Sequence, residues 1–161
     1  MKSVLFAIVS MLGLCACSGG DTGTPDALDL ADYRGRWLVI NYWAEWCKPC
    51  IKEIPELNAL DTRYPQVAVL GVNFDGVTGE ALRLQIDTLG IAFPVLEQDP
   101  SGVLGVPLPS VLPATFILDP DGKLVHSLVG PQTLESLALA TGQVGIDDGD
   151  TEGDQGELRA P

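Results

Sequence analysis

The passage from Trp37 to Cys50 constrains this chain more than any other. Trp37-Leu38-Val39-Ile40-Asn41-Tyr42 is β-branched and aromatic, bounded by a turn signal before and a helical pattern after, and reads as a buried central strand. Trp46-Cys47-Lys48-Pro49-Cys50 follows, and then Ile51, Ile54, Leu57 and Leu60 recur at threefold spacing. That spacing predicts a helix from Pro49 to about Tyr64. Pro49 suits its first turn, where a missing N–H costs nothing. Pro55 lies inside the pattern and is expected to kink it. The two cysteines therefore belong to the junction between a central strand and the start of a helix.

The rest of the chain supplies partners for that unit. Val67 to Val72 reads as a second buried strand, and Gly79 to Leu89 as a second helix with Leu82, Ile86 and Leu89 on one face. Phe93 to Leu96 is a short extended piece, and residues 98–111 form a Pro- and Gly-rich connection. Ala114 to Leu118 and Leu124 to Val129 are strands joined across the turn signal Asp119-Pro120-Asp121-Gly122. Thr133 to Ala140 closes with a short helix. Ahead of Trp37, Leu28 to Arg36 is polar and punctuated by Gly35, a lead-in and turn. The order β-α-β-α, hairpin, α predicts an α/β domain over residues 28–144, with a central mixed sheet and helices on both faces.

The 161 residues allow one such domain plus small appendages. A net charge of −13 argues against nucleic acid as a partner, because phosphate binding needs a basic face. Six acids crowd residues 147–157, so residues 145–161 read as an acidic disordered tail. At the other end, Lys2 precedes an uncharged apolar run from Val4 to Leu14, short for a bilayer span and suited to the core of a signal peptide. It ends in Leu14-Cys15-Ala16-Cys17, which resembles the lipobox of bacterial lipoproteins. That resemblance implies a signal peptide over residues 1–16, lipidation at Cys17, and a flexible tether over 17–27. Cys15 departs from the usual lipobox residue. Ser18, where the inner-membrane retention signal has Asp, points toward the outer membrane. An ordinary cleaved signal, or a short anchor, with incidental cysteines is the alternative.

Cys47 and Cys50 carry the candidate chemistry. Disulfide exchange needs one thiolate that attacks and a second thiol that resolves the mixed disulfide. Two intervening residues at a helix start bring the sulfurs within bonding distance. There the unpaired N–H groups and the helix dipole favour a negative Cys47 sulfur, while Cys50 lies one turn inside. Lys48 adds positive charge nearby. Zinc uses the same spacing but takes four ligands in a structural site, and the domain offers Cys47, Cys50 and His126. A permanent structural disulfide across so short a loop would constrain the unfolded chain little.

Val39-Ile40-Asn41-Tyr42-Trp43-Ala44-Glu45-Trp46-Cys47-Lys48-Pro49-Cys50 closely resembles the active-site strand and helix of thioredoxins. Three further motifs are similar to those of the TlpA/ResA-like branch of membrane-tethered extracytoplasmic thioredoxins. They are Asp32-Tyr33-Arg34-Gly35-Arg36, Leu112-Pro113-Ala114-Thr115-Phe116-Ile117-Leu118-Asp119 and Asp121-Gly122-Lys123. The resemblance runs over roughly residues 28–140. It implies the thioredoxin fold, a cis-proline at Pro113 facing the cysteine pair, and a client-binding loop that includes Leu112. Pro55 matches the helix-kink proline, and Trp43 and Trp46 match aromatics around the pair. Trp43 also suits a plain core position, and Glu45 and His126 suit the surface. Thioredoxins proper carry a buried Asp where this chain has Asn41, which cannot take a proton. The TlpA/ResA branch instead places a Glu three residues after the second cysteine, and Glu53 holds that position. Glu53 is either the acid/base partner of Cys50, raised in pKa by burial, or a solvated first-turn carboxylate.

The function this implies is a disulfide reductase without a cofactor. Cys47 attacks, Cys50 resolves, and Trp46, Lys48 and Leu112 meet the client. A membrane thiol transporter of the DsbD or CcdA kind would resupply electrons in the periplasm. Apocytochrome c and copper-site assembly proteins are the clients the resemblance suggests, with a monomeric, lipid-anchored enzyme. An oxidase or isomerase remains open, because Lys48-Pro49 alone does not set the direction. A copper-handling chaperone using Cys47 and Cys50 is a reading of another class, although known chaperones of this fold use a C-x-x-x-C loop. A peroxidase would need a Pro-x-x-x-Thr-x-x-Cys pattern, absent ahead of Cys47.

Overall fold

The computed structural model describes residues 28–144. The expected signal peptide, the expected lipidation at Cys17, the expected tether and the expected acidic tail fall outside the described residues. A 3-10 turn at Leu30–Tyr33 leads into β1 (Trp37–Trp43), α1 (Lys48–Arg63), β2 (Val67–Asn73), α2 (Gly79–Leu89) and β3 (Val95–Leu96). The chain continues through α3 (Ser101–Leu104), β4 (Ala114–Leu118), β5 (Leu124–Val129) and α4 (Leu134–Ala140). The expected strands and helices are present, most with ends within a residue of the sequence reading. One addition is α3, inside the segment read as a plain connection. α1 runs on through the exposed Pro55.

The sheet order is β3-β2-β1-β4-β5. β1 pairs in parallel with β2, and β2 with β3, while β4 and β5 join antiparallel. Two crossovers that step in the same direction, from β1 to β2 and from β2 to β3, must place α1 and α2 on the same face if both are right-handed. They do so, and α4 joins them. Ile54, Leu57 and Leu60 of α1, Leu82 of α2 and Leu137 of α4 share one apolar cluster with Val39, Trp43 and Val69. The alternate residues Leu38, Ile40, Tyr42, Leu70 and Phe116 form the other face, covered by Leu28, the 3-10 turn, α3 and Val106. Helices thus lie on both faces, the long ones on one. Among the described residues no helix is long and apolar enough to cross a membrane.

Two local features lock this frame. Gly71 lies beneath the indole of Trp43; a Cβ there would stand 2.9 Å from Trp43 Nε1, 3.0 Å from Val95 and 3.1 Å from Phe93. Only glycine lets β2 pass so close beneath a fully buried tryptophan. At the far end, two motifs of the resemblance meet. Gly35 N–H donates to the Pro120 carbonyl at 2.9 Å, and the Arg34 guanidinium donates to the Asp121 carbonyl. The hairpin turn is built on Asp119, whose carboxylate accepts from Asp121 N–H and Lys123 N–H at 3.0 and 2.9 Å. Gly122 takes the positive φ of +76° that the turn requires.

Candidate active site

β1 ends at Trp43, and four residues carry the chain into α1. Cys47 is the N-cap, in extended conformation, and its Sγ accepts from the Cys50 N–H at 3.3 Å. A sulfur in the place of a capping oxygen is where a thiolate gains most from a helix N-terminus. Cys47 and Cys50 are joined by a disulfide, with their Cα atoms 5.3 Å apart. Cys47 is 4% exposed and Cys50 1%, so both sulfur-bearing side chains are sheltered and Cys50 is the deeper.

The rim is different in character. Trp46 is 63% exposed and its Nε1 donates to Asp75 Oδ2 at 2.8 Å, which ties the indole to the β2–α2 loop. Lys48 is exposed beside it. Glu45 is exposed and accepts from Gln85 at 3.0 Å. Gln85 in turn accepts from Asn73 at 2.9 Å, so the rim is braced against α2. The Leu112–Pro113 peptide is cis, as the resemblance implies. Pro113 is buried and its carbonyl accepts from Gly130 N–H at 2.9 Å. Leu112 is half-buried and packs against the apolar cluster that holds both cysteines. His126 sits exposed on β5.

Glu53 is not a solvated carboxylate. It is 1% exposed, one turn along α1 from Cys50. Its Oε1 accepts from Gln132 N–H at 3.1 Å and its Oε2 from Asn41 Nδ2 at 3.3 Å. Loss of water pushes its proton affinity up, and the two hydrogen bonds pull it down; burial wins, and the pKa rises from 4.5 to about 7. Such a group exchanges protons near neutrality, the range in which a general acid or base works best. The sign of its effect on stability follows. Between about 4.5 and 7 the folded chain keeps a proton that the unfolded chain has released. Its contribution is therefore fullest at low pH and is lost as pH rises through that window, by roughly 3 kcal/mol. Urea midpoints of the native chain and Glu53→Gln, taken from pH 4.5 to 8, are expected to diverge across the window, with the native chain the steeper. Parallel curves would mean that Glu53 titrates as an ordinary carboxylate.

The sequence reading missed the groups that hold Glu53. Asn41 appeared there as a lost acid, and here its amide is a donor. Asn41 Nδ2 also donates to Thr115 Oγ1 at 3.0 Å, and both residues are buried. A lone polar residue in the apolar strand Ala-Thr-Phe-Ile-Leu was the available signal for Thr115. Asp75 and the Gln132 backbone left none. Among the described residues no group of three or more His, Cys, Asp or Glu side chains is arranged to hold a metal ion.

Comparison with known proteins fits this geometry. The AhpC/TSA family model matches residues 19–127. The thiol-disulfide oxidoreductase ResA of Bacillus thuringiensis (strain Al Hakam) is 34% identical over 111 residues, covering 68% of this chain and 64% of its own length. The thioredoxin-like protein YneN of Bacillus subtilis is 33% identical over 111 residues, covering 67% of this chain and 65% of its own length. The chain thus spans slightly less than two thirds of the length of these curated relatives. Among solved structures, a candidate thiol:disulfide interchange protein DsbE from Chlorobium tepidum superposes with a TM-score of 0.55 at 28% identity, over 69% of this chain and 79% of its own. A DsbF homologue from Corynebacterium diphtheriae superposes with a TM-score of 0.63 at 24% identity, over 73% and 77%, and shares the fold.

Proposed function

Because the chain belongs to the AhpC/TSA family, in its thioredoxin-like TlpA/ResA branch, we propose that it is a thiol–disulfide oxidoreductase that reduces client-protein disulfides. The observation that carries this reading is the sheltered Cys47–Cys50 pair at the start of α1, with the buried Glu53 one turn behind it. In the reduced chain the Cys47 thiolate attacks a client disulfide; a Cys47–client bond forms, the client S–S bond breaks, and the departing client thiolate takes up a proton. Cys50 then gives its proton to Glu53 and attacks the Cys47 sulfur. The second client thiolate leaves, two electrons have passed to the client, and the pair ends as the disulfide of the present structure. The exposed Trp46 and Lys48, with the half-buried Leu112, would meet the client, and the buried, cis-bonded Pro113 behind Leu112 would face the cysteine pair.

The setting is part of the proposal. Lipidation at Cys17 after a signal peptide over 1–16, and a tether over 17–27, would hold the domain at a bacterial membrane facing the periplasm, the outer membrane being favoured by Ser18. The acidic segment 145–161 would stay outside the domain. A DsbD- or CcdA-like donor would return the pair to its dithiol form, and apocytochrome c or metal-site assembly proteins are the client classes. The chain would act as a monomer. These assignments draw on the lipobox-like Leu14-Cys15-Ala16-Cys17 and on the branch to which the relatives belong. The test is direct. Stoichiometric reduced chain is added to a peptide bearing a Cys-x-x-Cys disulfide, and free client thiols are counted. Two thiols per chain oxidised are expected; a client disulfide that stays intact would remove the reading.

A further inference from the structure

We propose that Thr115 is a positioning residue for Glu53, acting through Asn41. The inference rests on the reading of Glu53 as the proton partner of Cys50. β1 and β4 pair so that Asn41 lies directly opposite Thr115, and both side chains are shut off from solvent on the face that α1 covers. The Asn41 amide has two hydrogens. One goes to Thr115 Oγ1 at 3.0 Å, the other to Glu53 Oε2 at 3.3 Å. An ionised carboxylate repels an amide carbonyl, but a protonated Glu53 can donate to one, so an amide free to turn would not keep its nitrogen on that side in both protonation states. The Thr115 hydroxyl, by accepting, keeps nitrogen on that side. The Gln132 N–H, on the connection between β5 and α4, holds the other carboxylate oxygen at 3.1 Å. Glu53 therefore receives two donors, and only the one from Asn41 depends on a side chain that must itself be aimed.

The other titratable groups near this network do not supply the effect. On α1 they are Cys47, Cys50, the exposed Lys48 and Lys52, and Glu56, whose Oε2 is occupied by the Leu134 N–H at 2.8 Å. α4 brings the exposed Glu135, while β1 and β4 bring the uncharged Asn41 and Thr115. The influences on Glu53 are burial, the Gln132 N–H and the Asn41 amide. Because the Asn41 donation favours the charged carboxylate, its loss raises the proton affinity of Glu53.

The test follows the Glu53 carboxyl by NMR in the oxidised full chain labelled with carboxyl-13C glutamate, with Glu53→Gln identifying its resonance. Thr115→Val is expected to move the titration midpoint upward by at least about half a unit, and Thr115→Ser to return it. Thr115→Ala serves as a second hydroxyl-free variant should valine disturb the packing. A midpoint unchanged in the folded hydroxyl-free variant overturns the proposal. The pH profile of client reduction is measured alongside. If Glu53→Gln leaves that profile unaltered, the reading of Glu53 as the proton partner falls, whatever the midpoint does in the Thr115 variants.

Discussion

Cys50→Ser is expected to turn a catalyst into a trap. The variant keeps Cys47, so it still attacks a client disulfide, but nothing remains to break the Cys47–client bond. A covalent complex that dithiothreitol dissolves should accumulate on a non-reducing gel. Cys47→Ala should form no such complex and should lose client reduction by on the order of a thousandfold or more, since the attacking atom is gone. The asymmetry follows from position. Cys47 is the N-cap, its sulfur receiving the Cys50 N–H, while Cys50 lies deeper at 1% exposure. Equal losses in the two variants without a trapped species would mean that the cysteines do not divide attack and resolution as described.

The largest effect on stability is expected at Trp43. Its side chain is fully buried at the end of β1, in the same apolar cluster as Cys47, Cys50, Ile54 and Leu137. Trp43→Ala removes that volume from beneath α1 and should cost about 3–5 kcal/mol, read from urea unfolding. Trp43→Phe should cost much less. It keeps most of the apolar surface and deletes an indole N–H that finds no hydrogen-bond partner among the described residues. Gly71→Ala approaches the same contact from below and should cost about 1–3 kcal/mol, because the indole held 2.9 Å from the new Cβ has nowhere to move. A Trp43→Ala loss under 1 kcal/mol would show that the packing between β1 and α1 is not what holds the junction.

Much of the architecture was legible because its signals are local. The strand from Trp37, the threefold spacing after Pro49 and the turn at Asp119-Pro120-Asp121-Gly122 each declare themselves within a few residues. The resemblance added what spacing does not contain, the cis bond before Pro113 and the position of Glu53. What escaped was set by contacts between segments far apart in sequence. Asn41 meets Thr115 across 74 residues, and Glu53 meets Gln132 across 79. Strand order decides both, and strand order also puts the long helices α1 and α2 on one face. The tie between Trp46 and Asp75 spans 29 residues and depends on where the β2–α2 loop passes. The helix α3 is four residues long, too short to show a period.

The central claim is that this pair gives electrons to clients. Its reduction potential tests that most directly, by equilibrating the chain in defined thiol–disulfide buffers and counting the Cys47–Cys50 disulfide at each. A value near that of thioredoxin, about −270 mV, is expected of a reductase that a membrane donor must recharge. A value near that of a strong periplasmic oxidant, about −120 mV, would mean that the dithiol form is held too firmly to give up its electrons, and that the chain hands disulfides to its clients instead.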